Sequence, residues 1–204
     1  MIGFEYIKNW SFNIGFFHTT LVSLLTFFSF LGSGRKLMDI IGLNINHNWN
    51  YCFRLLLGIF SFSLVVQLLS IYGRINENIF VALLLLFSLF GLNELRYFKL
   101  SNFKLGKKEI IPLIFIFLIL FIRYFFAIIP TTKMDEIAYH MYLPAKVLID
   151  NGLNYYSLPW EAAILQHMQF QFISVPFYSI GLFECPNLIS LFIFISFTYQ
   201  FCKL

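Results

Sequence analysis

The sequence predicts an all-α fold: a polytopic transmembrane helix bundle of about six spans, with an outer-face loop that carries short interfacial helices. Three observations lead there. Hydrophobic residues make up 59% of the 204 and charged residues only 12%, about half of the roughly 25% with which a soluble domain covers its surface. Mean hydropathy is +0.78. Apolar runs of about bilayer length recur along the chain, separated by short connections in which the charges collect. The same distribution excludes nucleic-acid binding, because no basic stripe exists outside the loops that flank apolar runs. Cys52, Cys185 and Cys202 are too few and too scattered for a disulfide framework or a Cys/His metal site. The start, MIGFEYIKNW, lacks a basic region, and GSG at 32–34 is followed by Arg35 and Lys36, so no cleavable signal peptide is read.

Residues 1–109 read as an N-terminal membrane region with three spans. The first, 12–31, is rich in Phe and Leu and at about 1.5 Å per residue crosses a hydrocarbon core of about 30 Å. His18 is its lone imidazole and reads as a packing or interface residue. Residues 33–54 form a polar connection, with Arg35, Lys36 and Arg54 against Asp39; KLMDIIGLNINHNW within it has the make-up of a short segment lying at the interface. His47 there reads as solvated. The second span is 55–72. After the break YGRINEN the third is 79–92, short enough to tilt or to borrow from its flanks. The stretch 93–108 then carries Arg96, Lys99, Lys104, Lys107 and Lys108 against Glu94, five cations against one acid. By the positive-inside rule it is cytoplasmic.

That assignment sets the rest, 110–204. The span 110–129 crosses outward, so the loop 130–163 is extracytoplasmic. It holds Lys133 and Lys146 against Asp135, Glu136, Asp150 and Glu161, two cations against four acids. A span over 164–183 returns, with Gln166, His167, Gln169 and Gln171 at its outer end; Cys185-Pro186-Asn187 turns the chain, and a last span covers 188–201. Counting backward, the connection 33–54 is cytoplasmic and the N-terminus lies outside.

One stretch concentrates the ionisable groups: PTTKMDEIAYHMYLPAK, residues 130–146. Pro130 ends the preceding helix, and Thr131 or Thr132 can cap the next. Residues 134–143 have helical character; Pro144 kinks that helix or starts a second one that ends at Asn151-Gly152. At helical spacing Asp135, Tyr139 and Tyr142 share a face, while Glu136 and His140, four apart, share its neighbour. A carboxylate here can serve as general base, orient a cation, or pair with Lys133 or Lys146. Arg123 sits about 10 Å below Pro130 at 1.5 Å per residue. A charge at that depth faces a partner or reaches to headgroups, so Arg123 reads either as a ligand for a lipid phosphate or as a snorkelling cation.

An apolar helix ending in Pro, then DEIAYHMYLPAK, then Asn-Gly-Leu, then Pro159 and a return helix resembles the GT-C glycosyltransferases, in particular the protein O-mannosyltransferase and lipid A aminoarabinose transferase group. The resemblance covers about residues 110–183, and the pattern D-x-x-x-YH-x-x-x-P-x-K behind a membrane helix is its specific part. It implies transfer of a sugar from a polyprenyl-phosphate carrier to a glycan, lipid or protein acceptor on the outer face of a bacterial inner (plasma) membrane. It implies Asp135 as catalytic base, with Glu136 and His140 supporting it, and Arg123, Tyr139, Lys146 and Glu161 as substrate-binding residues. The leaving phosphate would meet a cation: Arg123, Lys146 or a divalent metal. Such enzymes carry roughly twice as many spans, so by the resemblance this chain corresponds to an N-terminal portion. From another class, the chain also reads as a non-catalytic membrane protein of lipid-linked-sugar export or cell-envelope assembly, or as an inactive fragment.

Overall fold

The structure is a computed structural model that describes residues 12–43, 50–96, 110–128, 142–153 and 168–201. Among them are seven helices and no strand: α1 (Phe12–Ile41), α2 (Asn50–Ile71), α3 (Glu77–Leu95), α4 (Ile110–Ile128), α5 (Tyr142–Ile149), α6 (Met168–Ser179) and α7 (Cys185–Phe201). The all-α expectation holds. Three helices are long and apolar enough to cross a membrane: α1 from Phe16, α2 and α3. Their outward faces are hydrocarbon, as a lipid-facing surface requires: Phe17, Leu56, Leu64, Leu85 and Leu89 are all exposed.

α1 is the axis of the bundle. The expectation ended it at Leu31, but the helix runs straight through Gly32-Ser33-Gly34 to Ile41. The two glycines are two residues apart, so on a helix they point about 200° from each other, toward different neighbours. A Cβ on Gly32 would collide with the Phe90 carbonyl of α3, and one on Gly34 with the Arg54 carbonyl of α2. Each partner answers with a glycine of its own. A Cβ on Gly58 of α2 would strike the Phe30 carbonyl, and one on Gly91 of α3 would lie 2.7 Å from Ser29 Oγ and 2.9 Å from the Leu25 carbonyl. Small residues that let backbones touch are what drive helix association where lipid is as apolar as the side chains. The hydroxyls along α1 bond within their own helix: Ser23 Oγ donates to the Thr19 carbonyl (2.6 Å), Thr26 to Val22 (2.8 Å) and Ser29 to Leu25 (2.6 Å). No hydroxyl of that trio reaches the hydrocarbon unsatisfied.

These crossings fix directions. Val22 and Ser29 of α1 line one cavity with Val81 and Ser88 of α3, and further along Arg35 meets Glu94, so α3 runs parallel to α1. Gly34 lies against Arg54 and Phe30 against Gly58, so α2 is antiparallel. α4 is antiparallel as well, since the Tyr124 hydroxyl near its C-terminus shares a 2.6 Å hydrogen bond with Thr20 Oγ1 near the start of α1. Its bounds match the expected span 110–129 to one residue. The chain therefore leaves α4 at the end of the bundle where α1 starts.

α5 sits at that same end. Leu153, just behind it, donates its N–H to the Ser70 carbonyl near the end of α2 (2.9 Å), and Val147 is fully buried in the main core with Val66, Ile75 and Phe80. Pro144 falls in the first turn of α5, where a missing N–H costs nothing. The helix stops as Asn151-Gly152 predicts: Asn151 adopts φ 51° and the Gly152 N–H returns to the Val147 carbonyl (3.0 Å), the Schellman closure.

Over 164–183, where a span is expected, the described helix is α6, with 12 residues. At about 1.5 Å per residue it covers about 18 Å, short of a crossing by itself. Its buried residues Phe172, Ile173, Val175, Phe177 and Tyr178 instead cover the same core as α5. The turn after α6 stays at that end. Cys185 Sγ lies 3.6 Å from the Thr19 carbonyl, and the Cys185 carbonyl lies 3.5 Å from Ser23 Oγ. From there α7 descends alongside α1, Phe192 against Phe27 (ring centroids 6.0 Å) and Phe197 against the Leu31–Leu55 cluster. α1, α3 and α7 thus run one way, α2 and α4 the other. Of the six expected spans, three meet the length and hydropathy of a crossing; α7 and the described part of α4, Ile114–Ile128, are shorter apolar helices.

Candidate functional site

The bundle has two chemically different ends. One receives the C-terminus of α4, the α2–α3 turn, α5 and the α6–α7 turn; the described residues on either side of the run, Ile128 and Tyr142, belong to it, and we call it the motif end. The other holds Arg35, Lys36, Arg54 and Arg96 and is the basic end.

At the motif end, Asp135, Glu136, Tyr139, His140 and Glu161 lie outside the described residues. Two expected site residues are described. Lys146, on α5, forms an ion pair with Asp150 one turn on (3.4 Å), both side chains about a quarter exposed. An i,i+4 pair of this exposure adds only a few tenths of a kcal/mol to the helix. Its larger effect is to balance the Lys146 charge. Arg123 is exposed on α4, in a row with exposed Ile119, Ile122 and Phe126, while neighbouring Tyr124 is the residue turned toward α1. The described structure therefore does not bring Arg123 and Lys146 into contact with each other. His18 is also exposed.

Below this end a cavity of about 200 Å³ opens between α1 and α3, lined by Val22, Leu25, Leu84, Leu85 and Ile180, with Ser29 and Ser88 as polar points. Its walls are apolar, so hydrocarbon rather than water is the fitting content. Among the described residues no group of three or more His, Cys, Asp or Glu stands close enough to hold a metal.

The best-defined polar constellation is at the basic end, and the sequence reading dispersed it among loops. Glu94 is 8% exposed and closes the buried stripe of α3, Phe80-Leu83-Phe87-Gly91-Glu94, whose spacing of three and four follows one helix face. Its Oε1 meets two guanidinium groups from two other helices: Arg35 Nη2 of α1 at 3.0 Å and Arg54 Nη1 of α2 at 3.5 Å. The glycine contacts explain the convergence. Gly34, just before Arg35, touches the backbone of Arg54, and Gly91 brings the turn before Glu94 against α1. Asp39, one turn beyond Arg35, is a second acid within electrostatic reach of Arg54. Arg54 Nε and Asn50 Oδ1 are buried without a hydrogen-bond partner. The one local sign in the sequence was Glu94 standing alone among cations; the spacing Gly91-x-x-Glu94 that puts it on the packed face gains meaning only once α3 is known to extend to Leu95.

Compared with known proteins, the chain matches no family model, no curated protein and no solved structure.

Proposed function

We propose that the chain is the helix bundle, or part of it, of a GT-C-type membrane glycosyltransferase that uses a polyprenyl-phosphate sugar as donor. The observation that carries the reading is the run DEIAYHMYLPAK directly behind α4. Two features of the fold support it: α4 and α5 bring both sides of that run to one end of the bundle, and the apolar cavity opens on the same half. In this reading Asp135 takes the proton from the acceptor hydroxyl or amine as the acceptor attacks the anomeric carbon. The bond from that carbon to the phosphate oxygen breaks, and the configuration inverts. Glu136 and His140 orient the base, Tyr139 and Glu161 contact the sugar or acceptor, and the leaving phosphate is met by a cation. Of the two cations named for that role, Arg123 has no described acid beside it, whereas Lys146 already faces Asp150.

The test is transfer from polyprenyl-phosphate mannose or aminoarabinose by the protein reconstituted in liposomes, with Asp135→Asn beside the unaltered chain. Loss of a general base lowers the rate by roughly 10²–10⁴-fold, so the reading expects Asp135→Asn to fall at least about a hundredfold. Unchanged transfer in that variant would remove Asp135 from the chemistry.

A further inference from the structure

The Arg35–Glu94–Arg54 cluster is built with an excess of positive charge, and we propose that it is a binding site for the phosphate of an anionic phospholipid headgroup. Four observations converge. The cluster joins two guanidinium groups to a single carboxylate oxygen. Asp39 is a second acid within reach of Arg54, and with Lys36 and Arg96 at the same end the surroundings stay net positive and retain attraction for another anion. Arg54 is the looser partner: its contact with Glu94 is at 3.5 Å, the long limit for a hydrogen bond, and its Nε has no partner. Neither arginine is sealed off, with side-chain exposures of 27% and 21% against 10% for Glu94.

The surroundings carry the same sign. Lys36 and Arg96, both exposed, flank the cluster, so four cations stand at this end of the described helices against two acids, Asp39 and Glu94. Just past them the end of α1 and its following turn present Ile40, Ile41 and Leu43 to the outside. Aliphatic residues beside a basic cluster at the end of a membrane helix match a headgroup region on one side and acyl chains on the other. An arginine fork presents paired N–H donors, the geometry that suits a phosphodiester. Glu94 is then the positioning residue: its one carboxylate oxygen holds two long side chains in register.

This assignment is independent of the catalytic reading and makes opposite predictions for the members of the cluster. The experiment counts lipid retained by the purified full chain, by native mass spectrometry, after exchange into micelles containing phosphatidylglycerol or phosphatidylcholine. Phosphatidylglycerol is expected to be retained in preference, and less so as salt rises. Arg54→Gln weakens that retention about fivefold, the effect of one basic residue at an anionic surface, and Arg54→Lys restores most of it. Glu94→Gln strengthens it by a similar factor, although it loosens the helices. A purely structural ion cluster gives another pattern: both variants lower retention together, or neither changes it, and either result overturns the proposal. Equal retention of the two lipids overturns it too, as does displacement of phosphatidylglycerol by an equal concentration of inorganic phosphate, which would make the site one for a soluble anion. Where a variant does not fold, the unaltered chain decides: phosphatidylglycerol retention that ignores salt contradicts the site.

Discussion

Glu94 shows how much one residue can organise in a protein with so few charges. Through one oxygen it ties α3 to α1 and α2, whereas the Lys146–Asp150 pair lies within one helix turn of α5. Replacing it with Gln keeps the size and a hydrogen-bond acceptor but removes the carboxylate that Arg35 and Arg54 share, leaving Asp39 as the acid within reach of Arg54. Breaking a fully buried pair costs about 3–5 kcal/mol; with both guanidinium groups a fifth to a quarter exposed, solvent screening reduces that to roughly 1–3 kcal/mol. The expected result is a lower unfolding temperature for Glu94→Gln in mild detergent, with a much smaller drop for Lys146→Gln, whose pair lies within a single helix turn. Equal effects of the two substitutions would contradict the bridging role. The sequence hid this cluster for a physical reason. Arg35, Arg54 and Glu94 are 19 and 40 residues apart, each reads locally as a loop charge at the end of an apolar run, and only the helix crossings bring them together.

Among the elements, α1 teaches most about what a sequence reading can and cannot see. Apolar runs locate these helices well, and the starts and ends of α2, α3 and α4 fall within five residues of where hydropathy put them. The short α5 was legible too, because Pro144 and Asn151-Gly152 mark its ends with backbone chemistry that depends on no distant neighbour. GSGRK after an apolar run reads as a helix end because Gly has a low intrinsic helix propensity. In the bundle the same glycines serve close packing on two sides at once, and the helix continues for about two more turns, to Ile41. Over the expected span 164–183 the described helix, α6, has 12 residues. Its apolar content resembles that of a span, but a helix buried under a neighbouring core and a helix in lipid share one composition. The glycine contacts make a direct prediction. Gly58→Leu drives a side chain into the Phe30 backbone of α1, where no rotamer escapes, so the α1–α2 crossing opens and the protein loses several kcal/mol or fails to assemble. Leu85→Ala, on the exposed face of α3, is expected to change stability little. A pair of unfolding curves for these two variants checks the contrast; a Gly58→Leu protein as stable as Leu85→Ala would refute the crossing.

At the scale of the whole molecule, α1, α3 and α7 run one way and α2 and α4 the other, which gives the bundle a motif end and a basic end. The described flanks of the motif run belong to the first and the Arg35–Glu94–Arg54 cluster to the second, so the two proposed sites are assigned to opposite ends of the bundle. The positive-inside rule faces the basic end to the cytoplasm, and the reading of the motif as a glycosyltransfer site requires its end to be outside. The central claim is therefore one of sidedness, and single-cysteine labelling in intact cells tests it most directly. With Cys52, Cys185 and Cys202 replaced by Ser, one cysteine is introduced at Asp150, at Glu77 or at Lys36, and a membrane-impermeant maleimide is added from outside. The account predicts labelling at positions 150 and 77 without permeabilisation, and at position 36 only after it. Labelling of Lys36→Cys from outside, with Asp150→Cys protected until the membrane is opened, would invert the bundle and withdraw the glycosyltransferase reading.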